Sequence, residues 1–281
     1  MGLVRPSGAP LRVGPDLMAA RDRVAELGCS LGHPMHVLAA TVSTNDEALR
    51  AAREGAPHGA TWVTEHQSGG RGRRGREWVS PAGEGLLFSV VLRLSCAPAR
   101  LPPIALVAGL AVRVAVMRAL PGVDVKIKWP NDVLVEGRKI AGILIETVTV
   151  GSSVQAVALG VGINVHTRVF PDPIAATATS VALLSQVGPP DRASLLADTL
   201  GSLDRDLHVV VARGLGLFRA RLDAADGLRG FRVAAEAGDV GVASGIDDDG
   251  NLLVRRDDGT LARWNSGEVR LAGSRSSSPL Q

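Results

Sequence analysis

Tyrosine is absent from this chain and lysine nearly so. Of the 31 basic residues only Lys126, Lys128 and Lys139 are lysines, which leaves 28 arginines, and all three lysines fall within one short stretch. With 33 glycines and many alanines, this marks a coding bias towards arginine. A lysine kept against that bias stands where a compact ammonium serves and a wide planar guanidinium does not. Two cysteines, Cys29 and Cys96, supply neither a disulfide framework nor a metal-ligand spacing, so a reducing cytoplasm is expected. The histidines, His33, His36, His58, His66, His166 and His208, form no ligand spacing either. No secretory signal pattern opens the chain. The most apolar window, Leu101 to Leu120, is broken by Pro102, Pro103, Arg113 and Arg118. Its apolar positions Ile104, Val107, Leu110, Ala111, Val114 and Met117 recur with a helical period, which predicts a core helix and excludes a membrane span. Charge of one sign is lacking too. A formal +3, with 28 acidic residues spread throughout, is too small for a dedicated nucleic-acid binder.

What the chain does have is concentrated between Gln67 and Trp78, where Gly69, Gly70, Gly72 and Gly75 alternate with Arg71, Arg73, Arg74 and Arg76. Glycines let a loop turn its N–H groups inward, and arginine forks add fixed positive charge. Such a loop suits an anion such as a phosphate, and its mutual repulsion predicts mobility without one. A solvated basic loop, or a non-specific nucleic-acid patch, is the competing reading.

At 281 residues there is room for one large domain and a small one. A short helix is expected over 16–27, a strand over 36–41, a turn at 42–45 and a helix from Asp46, with Ser43 or Thr44 as N-cap and Glu47 near the capping-box position. Strands follow over 61–67 and 86–94, the latter continuously apolar, then the helix 103–119 and a strand 125–129. Residues 133–146 predict a hairpin turning at Glu136-Gly137, and 154–165 a strand whose Gly160 and Gly162 mark a close approach by ligand or backbone. Residues 191–224 read as helical. From about 228, short strands with Asp-Gly turns suit a small SH3-like β-barrel. The succession of hairpins gives an α+β fold with a mixed, largely antiparallel sheet. The expected organisation is a leader (1–36), a catalytic domain (37–226), an SH3-like domain (227–273) and a disordered tail (274–281).

Four segments, Ser43-Thr44-Asn45, Gln67 with the Gly-Arg loop, Lys128-Trp-Pro-Asn-Asp132 and Arg138-Lys-Ile-Ala-Gly142, stand in the order and approximate spacing of biotin–protein ligases. Gly160-Val-Gly-Ile-Asn164 and the stretch from Gly245 to Trp264 extend the likeness over roughly residues 37–271. The chain resembles the monofunctional class, which lacks a DNA-binding domain. That resemblance implies a class II aminoacyl-tRNA synthetase-like catalytic fold and a two-step reaction. Biotin and ATP·Mg²⁺ give biotinyl-5′-AMP, and biotin then passes to a lysine of a biotin carboxyl carrier domain of an acyl-CoA carboxylase. It implies biotin contacts from Ser43, Thr44, Asn45, Gln67, Gly70, Arg71, Gly72, Arg73, Lys139, Gly142 and Gly162. Adenylate contacts are implied from Arg71, Arg73, Arg74, Arg76, Trp78, Lys128, Asn131 and Asn164, with Lys139, Arg73 and Asp132 as catalytic groups. Asp132 is left with two roles, as base for the incoming lysine or as Mg²⁺ ligand, and Gly142 and Gly162 leave room for the biotin ring. A cytoplasmic monomer or weak homodimer with no DNA or membrane partner is expected.

The residues support this chemistry independently, since bringing a carboxylate to a triphosphate requires several fixed cations. Ordinary alternatives exist for each: an exposed hairpin lysine for Lys139, Asx-turn chemistry for Asn131 and Asp132, helix capping for Ser43 and Thr44. Lys126 reads as solvated and Trp264 as barrel core. Lipoate–protein ligase, a related fold with another acyl group, is the nearest rival reading; a nucleic-acid-binding module is the rival from another class.

Overall fold

A strand that is apolar at all but one position must be covered on both faces. β3 (Gly85–Leu92) is such a strand and is buried along its whole length. In this computed structural model, which describes residues 11–94, 98, 101–151, 153–188 and 191–272, it lies near the middle of a seven-stranded sheet. The other strands are β1 (Met35–Leu38), β2 (Thr61–Thr64), β4 (Val125–Lys128), β5 (Asp132–Val135), β6 (Arg138–Val150) and β7 (Ser153–Asn164). Their order is β1-β2-β3-β7-β6-β5-β4, with only β1 and β2 parallel. The β5–β6 turn falls at the expected Glu136-Gly137, whose φ values of 51° and 75° suit a two-residue hairpin loop.

Helices α1 (Pro15–Ala25), α2 (Thr44–Arg53), α3 (Leu101–Ala119), α4 (Val181–Leu184), α5 (Arg192–Arg213) and α6 (Arg219–Ala225) complete the main body. By length and composition α3 could cross a membrane. Here its Ile104, Val107, Leu110 and Ala111 belong to the same buried cluster as Phe88 of β3 and Leu200 of α5, so it is a core helix. Each fully buried Leu or Phe in that cluster contributes roughly 1.5–3 kcal/mol. The helix of the leader joins the cluster through Leu17, Ala20 and Val24. The helical stretch expected over 191–224 holds two helices: α5 stops at Gly214, whose φ of 69° carries the chain out of the helix before α6 begins.

After α6 the chain runs beside β4, with Gly227 N donating to Ile127 O at 2.9 Å. A Cβ at Gly227 would stand 3.1 Å from that of Lys126, so glycine suits the approach. The chain then forms five antiparallel strands, the small SH3-like unit: β8 (Arg232–Ala235), β9 (Val240–Ile246), β10 (Leu252–Arg255), β11 (Leu261–Trp264) and β12 (Val269–Leu271), ordered β11-β10-β9-β8-β12. The Trp129 indole of the main body fastens this unit by donating to Gly250 O at 2.8 Å. Cys96 and the expected tail, 274–281, lie outside the described residues.

Trp264 is buried as expected, and its indole donates to Asp239 Oδ2 at 2.9 Å. The Arg256 guanidinium binds both oxygens of the same carboxylate. Arg256 first and Trp264 second hold the Asp239 carboxyl down at about 2, below its ordinary value of 3.8. A depressed folded pKa stabilises above the unfolded value and loses that contribution as pH falls through the folded one. The Asp239 contribution should therefore be complete above pH 3.8 and vanish towards pH 2. NMR titration of its carboxyl carbon should give a midpoint near 2, and Asp239→Asn should flatten the acid limb of Trp264 fluorescence between those values.

Candidate active site

α2 begins where β1 and β2 end, and its first turn is buried: Ser43, Thr44 and Asn45 are each under 5% exposed. Ser43 holds the N-cap position, but neither it nor Thr44 caps the helix with its side chain. The cap is borrowed from beyond the next strand: Gln67 Oε1 accepts from Thr44 N at 2.7 Å and Thr44 Oγ1 at 3.0 Å. Glu47 does not close a capping box; its carboxylate takes the Thr41 hydroxyl at 2.9 Å and pairs with Arg50. Ser89 Oγ, fully buried in β3, lies 2.7 Å from Thr44 Oγ1 and 2.6 Å from Asn45 Oδ1. Asn45 Nδ2 donates to Glu146 Oε2 at 2.7 Å. A Cβ at Gly160 would stand 2.4 Å from Asn45 Oδ1, so only glycine lets the asparagine lie there.

The Gly-Arg loop closes on itself as a lid. Trp78 N donates to Gly70 O at 2.9 Å, Gly72 N donates to Arg76 O at 2.7 Å, and Arg73–Gly75 makes a 3-10 turn at the tip. Arg74 has a φ of 59°, a left-handed conformation costing roughly 1–2 kcal/mol in a non-glycine residue. Three of its arginines lie on carboxylates. Arg71 pairs with Asp46 of α2 and reaches Glu146 at 3.4 Å; Arg74 pairs with Glu236, just past β8, and Arg76 with Glu268, just before β12. Hydrogen bonding to Arg71 holds the Asp46 carboxyl below its usual range. Arg73 differs. Among the described residues no carboxylate lies within ion-pair distance of it, and its nearest polar partner is Asn131 Oδ1 at 3.5 Å. Burial, then the neighbouring Arg74 charge, lowers its pKa, as befits a cation short of counter-charge.

Under the lid, one row crosses the sheet from β3 to β4: Leu87, Gly162, Gly142, Asp132 and Lys128 are successive cross-strand partners. Lys139 joins this face through a β-bulge. Val133 pairs with Ala141 but Leu134 with Lys139, so Ile140 is an extra residue. Ile140 and Ala141 therefore both point into the core, and Lys139 returns to the side of Gly142. Its Nζ lies 2.7 Å from Asp132 Oδ1 and 5.3 Å from the Trp78 ring centroid. The room expected over the two glycines for a biotin ring is taken by that indole. A Cβ at Gly162 would stand 2.6 Å from Trp78 Cε2, and one at Gly142 would stand 3.1 Å from Trp78 Cζ3. The indole Nε1 there is buried and has no hydrogen-bond partner among the described residues.

Asn131 and Asn164 hold backbone. Asn131 Nδ2 donates to Ile143 O at 2.7 Å, and Asn164 Nδ2 donates to Thr179 O at 3.0 Å and Lys139 O at 3.4 Å, which steadies the strand that carries Lys139. Lys126 binds Ala224 O and Asp124 at the sheet edge, away from this centre. The residues missed in sequence are Ser89, Asp46 and Glu146. Only Ser89 carried a signal, as the single polar side chain inside an apolar strand.

Residues 38–164 match the biotin/lipoate A/B protein ligase family, and residues 232–271 match the biotin protein ligase C-terminal domain. Biotin--[acetyl-CoA-carboxylase] ligase of Paracoccus denitrificans is 37% identical over 229 residues, covering 78% of this chain and 93% of that protein. The protein of the same name from Mycobacterium tuberculosis is 37% identical over 256 residues, covering 87% and 91%. Among solved structures, biotin protein ligase from Aquifex aeolicus in complex with biotin and ATP superposes with a TM-score of 0.73 at 27% identity, covering 85% of this chain and 98% of that one. With both family segments present and relatives 37% identical matched over 93% and 91% of their length, this chain is a ligase of the biotin/lipoate A/B protein ligase family.

Proposed function

We propose that the protein activates biotin with ATP and transfers it to a lysine of a biotin carboxyl carrier domain. The observation that carries this reading is the meeting of Lys139, Asp132 and Arg73 beside the Gly142–Gly162 floor. In the first step the biotin carboxylate attacks the α-phosphorus of ATP, the bond to the β-phosphate breaks and pyrophosphate leaves. Lys139 neutralises the charge gathering between carboxylate and phosphate, and Lys128, at the end of the same row, takes the polyphosphate. Arg73 closes over the adenylate as its missing counter-charge. In the second step the acceptor amine attacks the acyl carbon and AMP leaves, with Asp132 taking the amine's proton. The hydroxyl and amide groups of Ser43, Thr44, Asn45 and Gln67 turn to the ureido group of biotin, and Trp78 gives up the floor to stack on the bound molecule. The outward pairs of Arg71, Arg74 and Arg76 are part-exposed, worth about 0–1 kcal/mol each, and so exchange readily for phosphate oxygens.

Magnesium is best placed on the nucleotide. Asp132 is engaged by Lys139, and the described residues hold no group of three metal-ligating side chains, so the site does not fit a resident ion. Of its two expected roles, the one as base is favoured. We place the reaction in the cytoplasm, without DNA or membrane partners. Incubation with labelled biotin or labelled lipoate, ATP·Mg²⁺ and a carrier domain should label the carrier with biotin alone. Trypsin cleavage between Arg71 and Arg76 should slow when biotin and ATP are both present. Lipoate labelling would overturn the substrate, and equal cleavage would overturn the lid.

A further inference from the structure

Among the described residues, the best-buried ion cluster lies outside the reacting centre. Arg192, the first residue of α5, and Glu65, just past β2, each have a side chain only 4% exposed. The guanidinium donates from Nη1 to Glu65 Oε2 at 2.7 Å and from Nη2 to Glu65 Oε1 at 3.1 Å. It also grips Asp16 of the leader helix, Nε to Oδ2 at 2.6 Å and Nη2 to Oδ1 at 2.7 Å. Gly14 N adds a bond to Glu65 Oε1 at 2.7 Å, and a Cβ at Gly14 would stand 2.8 Å from Asp16 Oδ1. Burial opposes the charge on Arg192, but the hydrogen bonds from Asp16 and Glu65 outweigh it and raise its pKa.

The position of this cluster is what matters. Glu65 is where the lid leaves β2, and Gly83 to Gly85 is where it returns to β3. Gly83 N donates to Glu65 O at 2.9 Å, and Arg192 Nη1 donates to Gly85 O at 3.2 Å. His166 N donates to Glu84 O at 2.7 Å, which fastens the end of β7 to the same point. Both feet of the lid are thus held by one guanidinium, which a leader carboxylate holds in turn. Asp16 and Arg192 both fall outside the residues matched to the family, 38–164 and 232–271.

We propose that Arg192 and Asp16 are positioning residues for the lid: they clamp its two feet together, so the N-terminal helix and α5 set where Arg73 comes down. A solely architectural cluster would stabilise the whole domain; a clamp acts first on residues 66–84. The lid readout does not depend on the proposed reaction; only the second readout below rests on it.

Asp16→Asn keeps the shape and removes the charge, while Arg192→Lys keeps the charge and loses the planar fork that spans two carboxylates. Amide hydrogen exchange is measured on the full chain without substrates, at a temperature where circular dichroism shows both variants folded. Exchange over 66–84 should rise about 10-fold or more in each variant while β6 and β7 amides keep their wild-type rates, the signature of local opening. Acceleration spread evenly over β6 and β7, or wild-type exchange in the lid, would overturn the clamp. Given biotin and ATP·Mg²⁺, both variants should also release more activated biotin into solution than wild type. Retention equal to wild type would remove the link to Arg73. Wild type making no adenylate would refute the ligase reading and leave the exchange result standing.

Discussion

Lys139→Ala is expected to lower biotin-dependent pyrophosphate release by about 10²–10³-fold, the usual effect of removing one preorganised charge-stabilising donor. Three observations motivate assigning that much to one ammonium. The bulge at Ile140 brings the side chain to the glycine face, Asp132 holds it at 2.7 Å, and the Trp78 ring lies 5.3 Å away. Asn164 further fixes the strand through Lys139 O. Lys139→Arg should recover little, because a rigid fork cannot follow charge moving from carboxylate to phosphate as a point charge does. The pair is part-exposed, so stability should fall by no more than about 1 kcal/mol. Pyrophosphate release at the wild-type rate from a folded Lys139→Ala protein would rule out the assignment.

Arg73→Gly should release the activated intermediate. Arg71, Arg74 and Arg76 are already on carboxylates, whereas Arg73 is half-buried and lacks one among the described residues. A charged hydrogen bond of this kind is worth about 1.5–3 kcal/mol, so its loss should speed escape of biotinyl-AMP by about 10–100-fold. The readout is biotin on lysines of a bystander protein, compared with biotin on the carrier domain. Labelling confined to the carrier would show that Arg73 does not seal the site. The same substitution should leave trypsin cleavage at Arg76 unchanged, since the Glu268 pair that holds that residue is untouched.

Much of the architecture was legible because it depends on near neighbours in sequence. Glu136-Gly137 announced the hairpin, the run from Leu86 to Leu92 announced a buried strand, and the period of Ile104, Val107, Leu110 and Ala111 announced the core helix. The site was legible as a set of segments whose likeness to one family is borne out by matches over residues 38–164 and 232–271. Where local reasoning failed, a distant partner had intervened. Ser43 holds the capping position, yet Gln67 supplies the bond. Gly162 leaves a gap as expected, yet Trp78 lies in it.

By itself, then, the sequence determined the order of elements, the turns and the family, since these follow from periodicity, glycine placement and short motifs. The tertiary structure alone decided which charges meet. In a regular strand Lys139 and Gly142, an odd number of residues apart, would face opposite ways; one bulge reverses that. Likewise the lid arginines are divided by carboxylates far off in the chain, Glu268 lying 192 residues from Arg76, and Asp16 reaches the lid only through Arg192. Electrostatic pairing depends on distance in space, and no local pattern records that distance.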